Sequence, residues 1–336
     1  MKLRTALFST VLLTSAKVSA LPAPMPQESG FSGTVGLTAS YIEYSSNLIV
    51  GNGLDSLSDN QVDSIWESAN RQSTGAFAPY LDLRFTFANS QTQLVFGNLI
   101  QDAVRFDLTQ RLGVRQAVPG VGTLGASFVF SGLPSEVWAD PYRTGAPRQE
   151  TDRESRGVRL DWERIADSNF SLGYTYRDIS IDEEQSGQAM GLSKQDQQLL
   201  NRNGRDHRFE LKYHQALSQS QYLTPSLIYR LREADGDAMA NDRIAMELTY
   251  THLTPRWTYI VNGYAGRVNY HSANPVFGQK TDSTELGIGL NLFRHGLWGY
   301  DNLSGLISAA YYQSDSKVAF HDMGFTNFSL GLVYRF

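Results

Sequence analysis

The chain has 336 residues, no cysteine and a formal net charge of −5, which excludes a disulfide framework and thiol catalysis. An acidic chain with no basic stripe also argues against nucleic-acid binding. Tyrosine and phenylalanine, 17 of each, and 29 glycines spread along the chain mark a protein of strands and turns.

Lys2 and Arg4 precede an apolar stretch over 6–16 that is too short to cross a bilayer as a helix. Val18, Ser19 and Ala20 follow as a signal-peptidase site, with Lys17 unusual beside it, so residues 1–20 are expected to be a secretory signal peptide. Residues 21–30 are expected to form a periplasmic extension, and 31–336 a single domain. No later apolar run is long enough for a transmembrane helix.

From Phe31 onward the dominant period is two, in runs such as YLDLRFTF (80–87), NFSLGYTYRD (169–178), HRFELKYH (207–214) and ELGIGLNL (285–292). One face of each run is apolar and the other charged, hydroxylated or glycine. The spacing predicts strands at 31–41, 77–87, 91–99, 103–115, 121–131, 156–165, 169–179, 206–215, 221–231, 242–252, 256–267, 281–293, 302–313 and 325–336. Losing the 91–115 pair, whose NLIQDA would have to make a tight outer turn, would leave about twelve.

A soluble sandwich alternates too. Two features point instead to a transmembrane antiparallel up-and-down β-barrel of about fourteen strands. Short turns at 88–91, 166–169, 216–220 and 253–256 alternate with long polar segments at 42–75, 132–155, 180–205, 232–241 and 268–281. Aromatics gather beside the short turns (Phe87, Trp162, Phe170, Tyr213, Tyr222, Tyr250, Trp257, Tyr259), as rings do at a membrane interface. The short turns are therefore expected on the periplasmic side and the long loops outside.

The ending FSLGLVYRF (328–336) resembles the assembly signal of Gram-negative outer-membrane barrels, with Ser329, Gly331, Tyr334 and Phe336 in the matching places. That resemblance implies the outer membrane as the location, with outer-membrane lipid, lipopolysaccharide and the barrel-assembly machinery as partners. PQESGFSG (26–33), SNLIVGN (46–52), FGNLIQDAVRFD (96–107), VWADPY (137–142) and LLNRNGRDH (199–207) resemble an uncharacterised gammaproteobacterial family of secreted barrels. The family has no established activity, so the likeness implies location and architecture only.

With the apolar face toward lipid, the other face lines the lumen. It carries Asp82, Arg84, Arg105, Asp107, Arg111, Arg159, Asp161, Glu163, Arg208, Glu210, Lys212 and Glu247, together with Arg177, Arg230, Arg243, Glu285 and Arg335. Arg or Lys facing mid-membrane lipid would cost about 2–4 kcal/mol each, so these residues point inward and need water or partners. The leading expectation is a porin-like channel for passive diffusion of small hydrophilic solutes, with mild anion preference from the basic excess. The alternative is a non-conducting envelope or surface barrel acting through its loops, in adhesion or as structure.

Within the loops, 56–69 has Val62, Ile65, Trp66 and Ala69 at helical spacing and a Ser58–Gln61 capping box. A second short helix is expected at 192–200, with Ser193 and Asp196 at its start. Each is read either as a lid over the mouth or as a helix packed on the rim; VWADPY is either an inward loop or a rigid turn. The outer loops are acidic: Glu43, Asp55, Asp59, Asp63 and Glu67 stand against Arg71, and Glu233, Asp235, Asp237 and Asp242 against Arg232. Asp235, Asp237, Asn241 and Asp242 lack the EF-hand glycine and distal glutamate.

An outer-membrane hydrolase is a minor alternative. His271, Ser272 and Asn274 offer the residue types but not the spacing of outer-membrane phospholipases, and Asp206–His207 lacks an upstream acidic pair. The six histidines are dispersed, and no metal or cofactor is expected.

Overall fold

In a computed structural model, residues 24–52, 55–99, 109–132 and 134–336 are described. In chain order the strands are β1 (Gly30–Ser46), β2 (Ile49–Asn52), β3 (Asp55–Ser56), β4 (Gln72–Phe87), β5 (Thr92–Asn98), β6 (Thr109–Val118), β7 (Gly122–Ser131), β8 (Ser135–Trp138) and β9 (Glu150–Glu163). They continue with β10 (Phe170–Ile181), β11 (Gly204–Tyr213), β12 (Gln215–Ala216), β13 (Gln221–Ala234), β14 (Asn241–Leu253), β15 (Trp257–Tyr270), β16 (Ser283–Leu297), β17 (Tyr300–Ser316) and β18 (Met323–Arg335). The one α-helix among the described residues is α1 (Lys194–Leu199).

Fourteen of these strands make a closed antiparallel barrel, each paired with its neighbour in sequence; β2, β3, β8 and β12 are short additions. β18 closes the ring on β1 in continuous register from Thr34↔Arg335 to Ser46↔Met323. Closure leaves no edge in hydrocarbon, where an unpaired N–H or C=O finds no water. No described helix is long and apolar enough to cross a membrane. The barrel spans with strands.

The period-two pattern sorts every wall residue. On β14, Ile244, Met246 and Leu248 face out, Met246 being 64% exposed, while Arg243 faces in and is buried. On β18, Phe328, Leu330, Leu332 and Tyr334 face out and Ser329 faces in. Exposed Leu37, Leu112, Leu160, Phe209, Leu286 and Ile288 continue the apolar band around the ring. So much exposed apolar surface fits lipid and not water. Phe87, Trp162 and Phe170 are exposed beside the short turns, where an interfacial girdle belongs.

The strand positions follow the alternation, but several overrun their expected outer ends: β1 reaches Ser46, β9 begins at Glu150 and β17 runs to Ser316. Above the membrane the loop ends still find partners, as in the β1–β4 ladder to Tyr44↔Gln72. The expected tight turn at NLIQDA falls mostly on residues outside those described. β5 and β6 part at Asn98 and Thr109, and the start of the strand expected at 103–115 lies outside the described residues, as do Arg105 and Asp107. The signal peptide expected at 1–20 lies outside them too.

Met246→Arg puts a guanidinium into the apolar band and is expected to cost about 2–4 kcal/mol, whereas Glu247→Gln on the neighbouring inward position stays near neutral. Urea titration of the barrel refolded into liposomes reads the difference.

Candidate functional site

Inside the barrel, charge is distributed along the axis in two zones. In the periplasmic half Arg84 bonds Asp82 at 2.7 Å, and Arg115 bonds Glu163 at 2.5 Å. Arg159 meets Asp161 at 2.6 Å and Glu210 at 3.7 Å, and Glu210 also takes Arg208 and Lys212, each at 3.3 Å. Arg111 lies in the field of Asp82 and Asp161, and Glu247 accepts a hydrogen bond from Thr249. These pairs join residues on the same strand, or on strands one or two places apart, along the wall. The Lys212 side chain keeps 37% of its surface accessible and Arg84 keeps 29%, whereas Arg159 and Glu210 are buried among their partners.

The outer half is different. Asp206 holds Arg230 at 2.6 Å and Arg177 at 3.6 Å, with both partners and the carboxylate almost fully buried. Glu285 holds Arg243 at 3.0 Å and accepts from the Tyr264 and Tyr312 hydroxyls, each at 2.8 Å. A buried charge is tolerated only when paired and hydrogen-bonded, and both carboxylates meet that condition.

Above this layer six outer connections (47–71, 132–149, 182–203, 235–240, 271–282 and 317–322) converge on one apolar cluster. Its buried centre is Tyr142, Leu200, Ala238, Phe277, Val318 and Phe320, with Val62, Ile65 and Leu192 packed on it. The loops leave the barrel from all round its rim, so their meeting point lies over the mouth. They form a cap. Tyr142 stacks on Phe320 with ring centres 5.7 Å apart, and its hydroxyl accepts from Asn274 at 2.9 Å. Burial pushes the Tyr142 phenol up, so it stays protonated.

Two arginines clamp the cap by its carbonyls. Arg148 lies over the Trp138 ring at 4.3 Å and donates to Asn47 O at 2.9 Å and to Asp59 O. Burial lowers its pKa to about 10, against the pull of Asp59 and Asp140. Arg202 bonds Glu184 at 2.7 Å and donates to Trp138 O at 2.8 Å. Below them β2 pairs with β8, so the 47–71 and 132–149 loops share a ladder. The Asp140 carboxylate accepts from the amides of Tyr142, Gly187 and Ala189, tying in the next loop.

The helix expected at 56–69 is not formed. Ser58 does not cap Gln61; its hydroxyl donates to Ser46 O at 2.7 Å and accepts from Trp138 Nε1 at 3.2 Å. Tertiary partners overrode the local pattern, and Val62 and Ile65 enter the cap from an irregular chain. At 192–200 the helix is present as α1, with the Ser193 hydroxyl accepting from the Asp196 amide at 3.1 Å. VWADPY turns inward: Trp138 and Tyr142 are both buried.

The residues considered for hydrolysis are scattered. His271 bonds Asp242 at 2.8 Å on the outside, while Asn274 is buried in the cap. Asp206 and His207 face opposite sides of β11, His207 meeting Tyr174 at 2.9 Å. Among the described residues no three metal-ligating side chains gather. The cap residues Arg148, Arg202 and Phe320 were not singled out from the sequence. Apolar VAF (318–320) inside a short polar connection is the signal that marks Phe320.

Fold and interior together define a transmembrane β-barrel of the Gram-negative outer membrane, capped on its outer side. The chain belongs to the family described as "Protein of unknown function (DUF2860)", whose model matches residues 30–335. No curated protein matches it. Among solved structures it is similar to the outer membrane channel DcaP of Acinetobacter baumannii, at 8% identity over 92% of this chain and 97% of that one, with a TM-score of 0.45. A Pseudomonas aeruginosa FadL homologue shares 12% identity over 90% of each chain, with a TM-score of 0.44. Outer-membrane expressed OmpT of Vibrio cholerae shares 8% over 92% of this chain and 97% of that one, also at 0.44. Likeness of this size reaches no further than barrel architecture.

His321 sits in the cap against Tyr142, Phe277 and Phe320, and burial lowers its pKa to about 4 from 6.5. A loosened cap therefore binds a proton that the closed cap refuses, and closure loses stability as pH falls from about 6.5 toward 4. Because the chain has no cysteine, spin labels at Asp63→Cys and Gln198→Cys report the loop distance directly. The distance distribution is expected to be narrow at neutral pH and to broaden in acid, and to stay narrow in acid with His321→Phe.

Proposed function

We propose that this protein is a gated outer-membrane channel for small hydrophilic solutes with a mild preference for anions, closed at its outer mouth in the conformation described. The observation that carries the reading is the partial solvent exposure of Lys212 and Arg84 on the inner face of the periplasmic half. About fourteen strands enclose more room than side chains fill, since roughly eight already give an interior that side chains pack. The wall-hugging ion pairs leave that room as water, and the basic excess of the inner face favours anions. No catalytic step belongs to this reading. Ser329, Gly331, Tyr334 and Phe336 serve insertion of the barrel by the assembly machinery, and outer-membrane lipid and lipopolysaccharide surround its apolar band.

A specific observation favours a second reading, a non-conducting barrel that works through its surface loops. Arg159 and Arg208 are paired with carboxylates, and the mouth is covered by a cap with its own apolar core.

The two readings part in a planar bilayer under a KCl gradient. Intact protein is expected to show rare openings with a reversal potential toward chloride. In Gly236→Ala the added Cβ collides with the backbone of Leu199 and Asn201, where the 235–240 turn rests on the end of α1. Overpacking costs about 1–3 kcal/mol, so open time is expected to rise about tenfold or more. Silence from both proteins, each shown to be folded, would sink the channel and leave the second reading.

A further inference from the structure

Between the cap and the buried charge layer lies a cavity of about 140 Å³. Five guanidiniums line it, from Arg153 on β9, Arg202 in the 182–203 loop, Arg230 and Arg232 on β13, and Arg243 on β14; Glu285 is the one carboxylate on the wall, and behind it Glu184 pairs with Arg202 and Asp206 with Arg230. The Glu285 carboxylate is taken up by Arg243 and two tyrosine hydroxyls. The rest of the wall is divided between apolar side chains, with Leu48, Val137, Ile179, Val268 and Met323 among them, and polar ones such as Ser135, Asn241 and Ser283.

Two polar groups on this wall have no protein partner. Neither ring nitrogen of His321 makes a hydrogen bond, although the residue is only 8% exposed. The Thr281 hydroxyl, 1% exposed, is likewise without a partner. Buried polar groups in folded proteins are almost always satisfied, and each exception needs its own explanation. Two exceptions on one arginine-lined wall share one explanation: a ligand that accepts hydrogen bonds. A neutral imidazole offers one N–H and a threonine one O–H, and both can donate to an anionic oxygen.

We infer that this cavity is a binding site for a small organic carboxylate with an apolar body, its charged end held by the guanidiniums, His321 and Thr281, and its body against the aliphatic wall. Arginine suits a planar carboxylate because its N–H fork matches the two oxygens. Apolar side chains beside convergent polar groups are what a small-molecule site uses to hold a body and orient a charged end. The inference deepens the channel reading by naming the solute class, and it places the solute immediately beneath the cap that must open to admit it.

The test is calorimetric titration of the full chain in lipid nanodiscs with benzoate, against acetate, benzyl alcohol and inorganic phosphate, with empty nanodiscs subtracted. Benzoate is expected to bind saturably, and the comparators, each lacking the apolar body, the charge or both the body and the carboxylate, at least about tenfold more weakly. Arg232→Gln is expected to weaken benzoate about tenfold, in line with the loss of one charge-assisted hydrogen bond. Thr281→Val, which keeps the side-chain shape, is expected to weaken it about threefold, and serves if Arg232→Gln does not fold. Benzoate bound no better than acetate, benzyl alcohol or phosphate overturns the inference, as does binding undiminished in the folded variants. Saturable binding by a barrel silent in bilayers would sink the channel and leave the site; conductance without benzoate binding would do the reverse.

Discussion

Hydrocarbon offers a backbone N–H or C=O nothing to bond with, so a chain that crosses it as strands must pair every one of them and leave no edge. The seam between β1 and β18 meets that demand, and the rest of the molecule follows from it. Once the ring is shut, each wall residue has only two directions. Alternate residues that are apolar go to lipid, and the charged and hydroxylated ones between them are enclosed. Enclosure then sets their chemistry. In the periplasmic half, where Lys212 and Arg84 keep part of their surface exposed, carboxylates and guanidiniums pair along the wall. Beneath the cap, Asp206 and Glu285 are buried, and each is surrounded by donors.

The cap obeys the rules of a soluble protein. Its loops cannot use lipid, so they bury Tyr142, Leu200, Phe277 and Phe320 against one another. Its irregular backbone leaves carbonyls to be satisfied, and Arg148 and Arg202 supply N–H groups to those of Asn47, Asp59, Trp138 and Ala139. The molecule thus joins a lipid-solvated wall to a small water-type core, with a basic chamber at the junction. Asn47 bridges two of the cap's loops, donating to Glu67 O at 3.1 Å and to Phe320 O at 3.3 Å.

The wall was legible in the sequence because its signal is local. Alternation along ten residues is enough to tell outside from inside, and it placed Asp82, Arg159, Glu210 and Glu247 on the inner face without any knowledge of their neighbours. What it does not carry is which inward charges meet. Arg159 reaches Glu210 two strands away, a distance set by the stagger of the ring. The cap was nearly illegible for the same reason. Six connections scattered along the chain come together only after closure, and each looks like an ordinary polar loop with one or two apolar residues in it. At 56–69 the local pattern pointed to a helix, and long-range partners for Ser58 and Val62 won. At Ser193 the pattern was self-contained, and the helix formed.

The 317–322 connection joins the last two strands of the wall and also supplies Val318, Phe320 and His321 to the centre of the cap. The two tasks are therefore timed together. Until the β17–β18 hairpin is in place, the other loops face one another across a gap with their central ring missing. The cap is complete only in a chain whose last hairpin is also in the wall. A barrel lacking that hairpin would be open along its side and at its mouth at once. Ring closure and loop order are thus coupled through one six-residue connection.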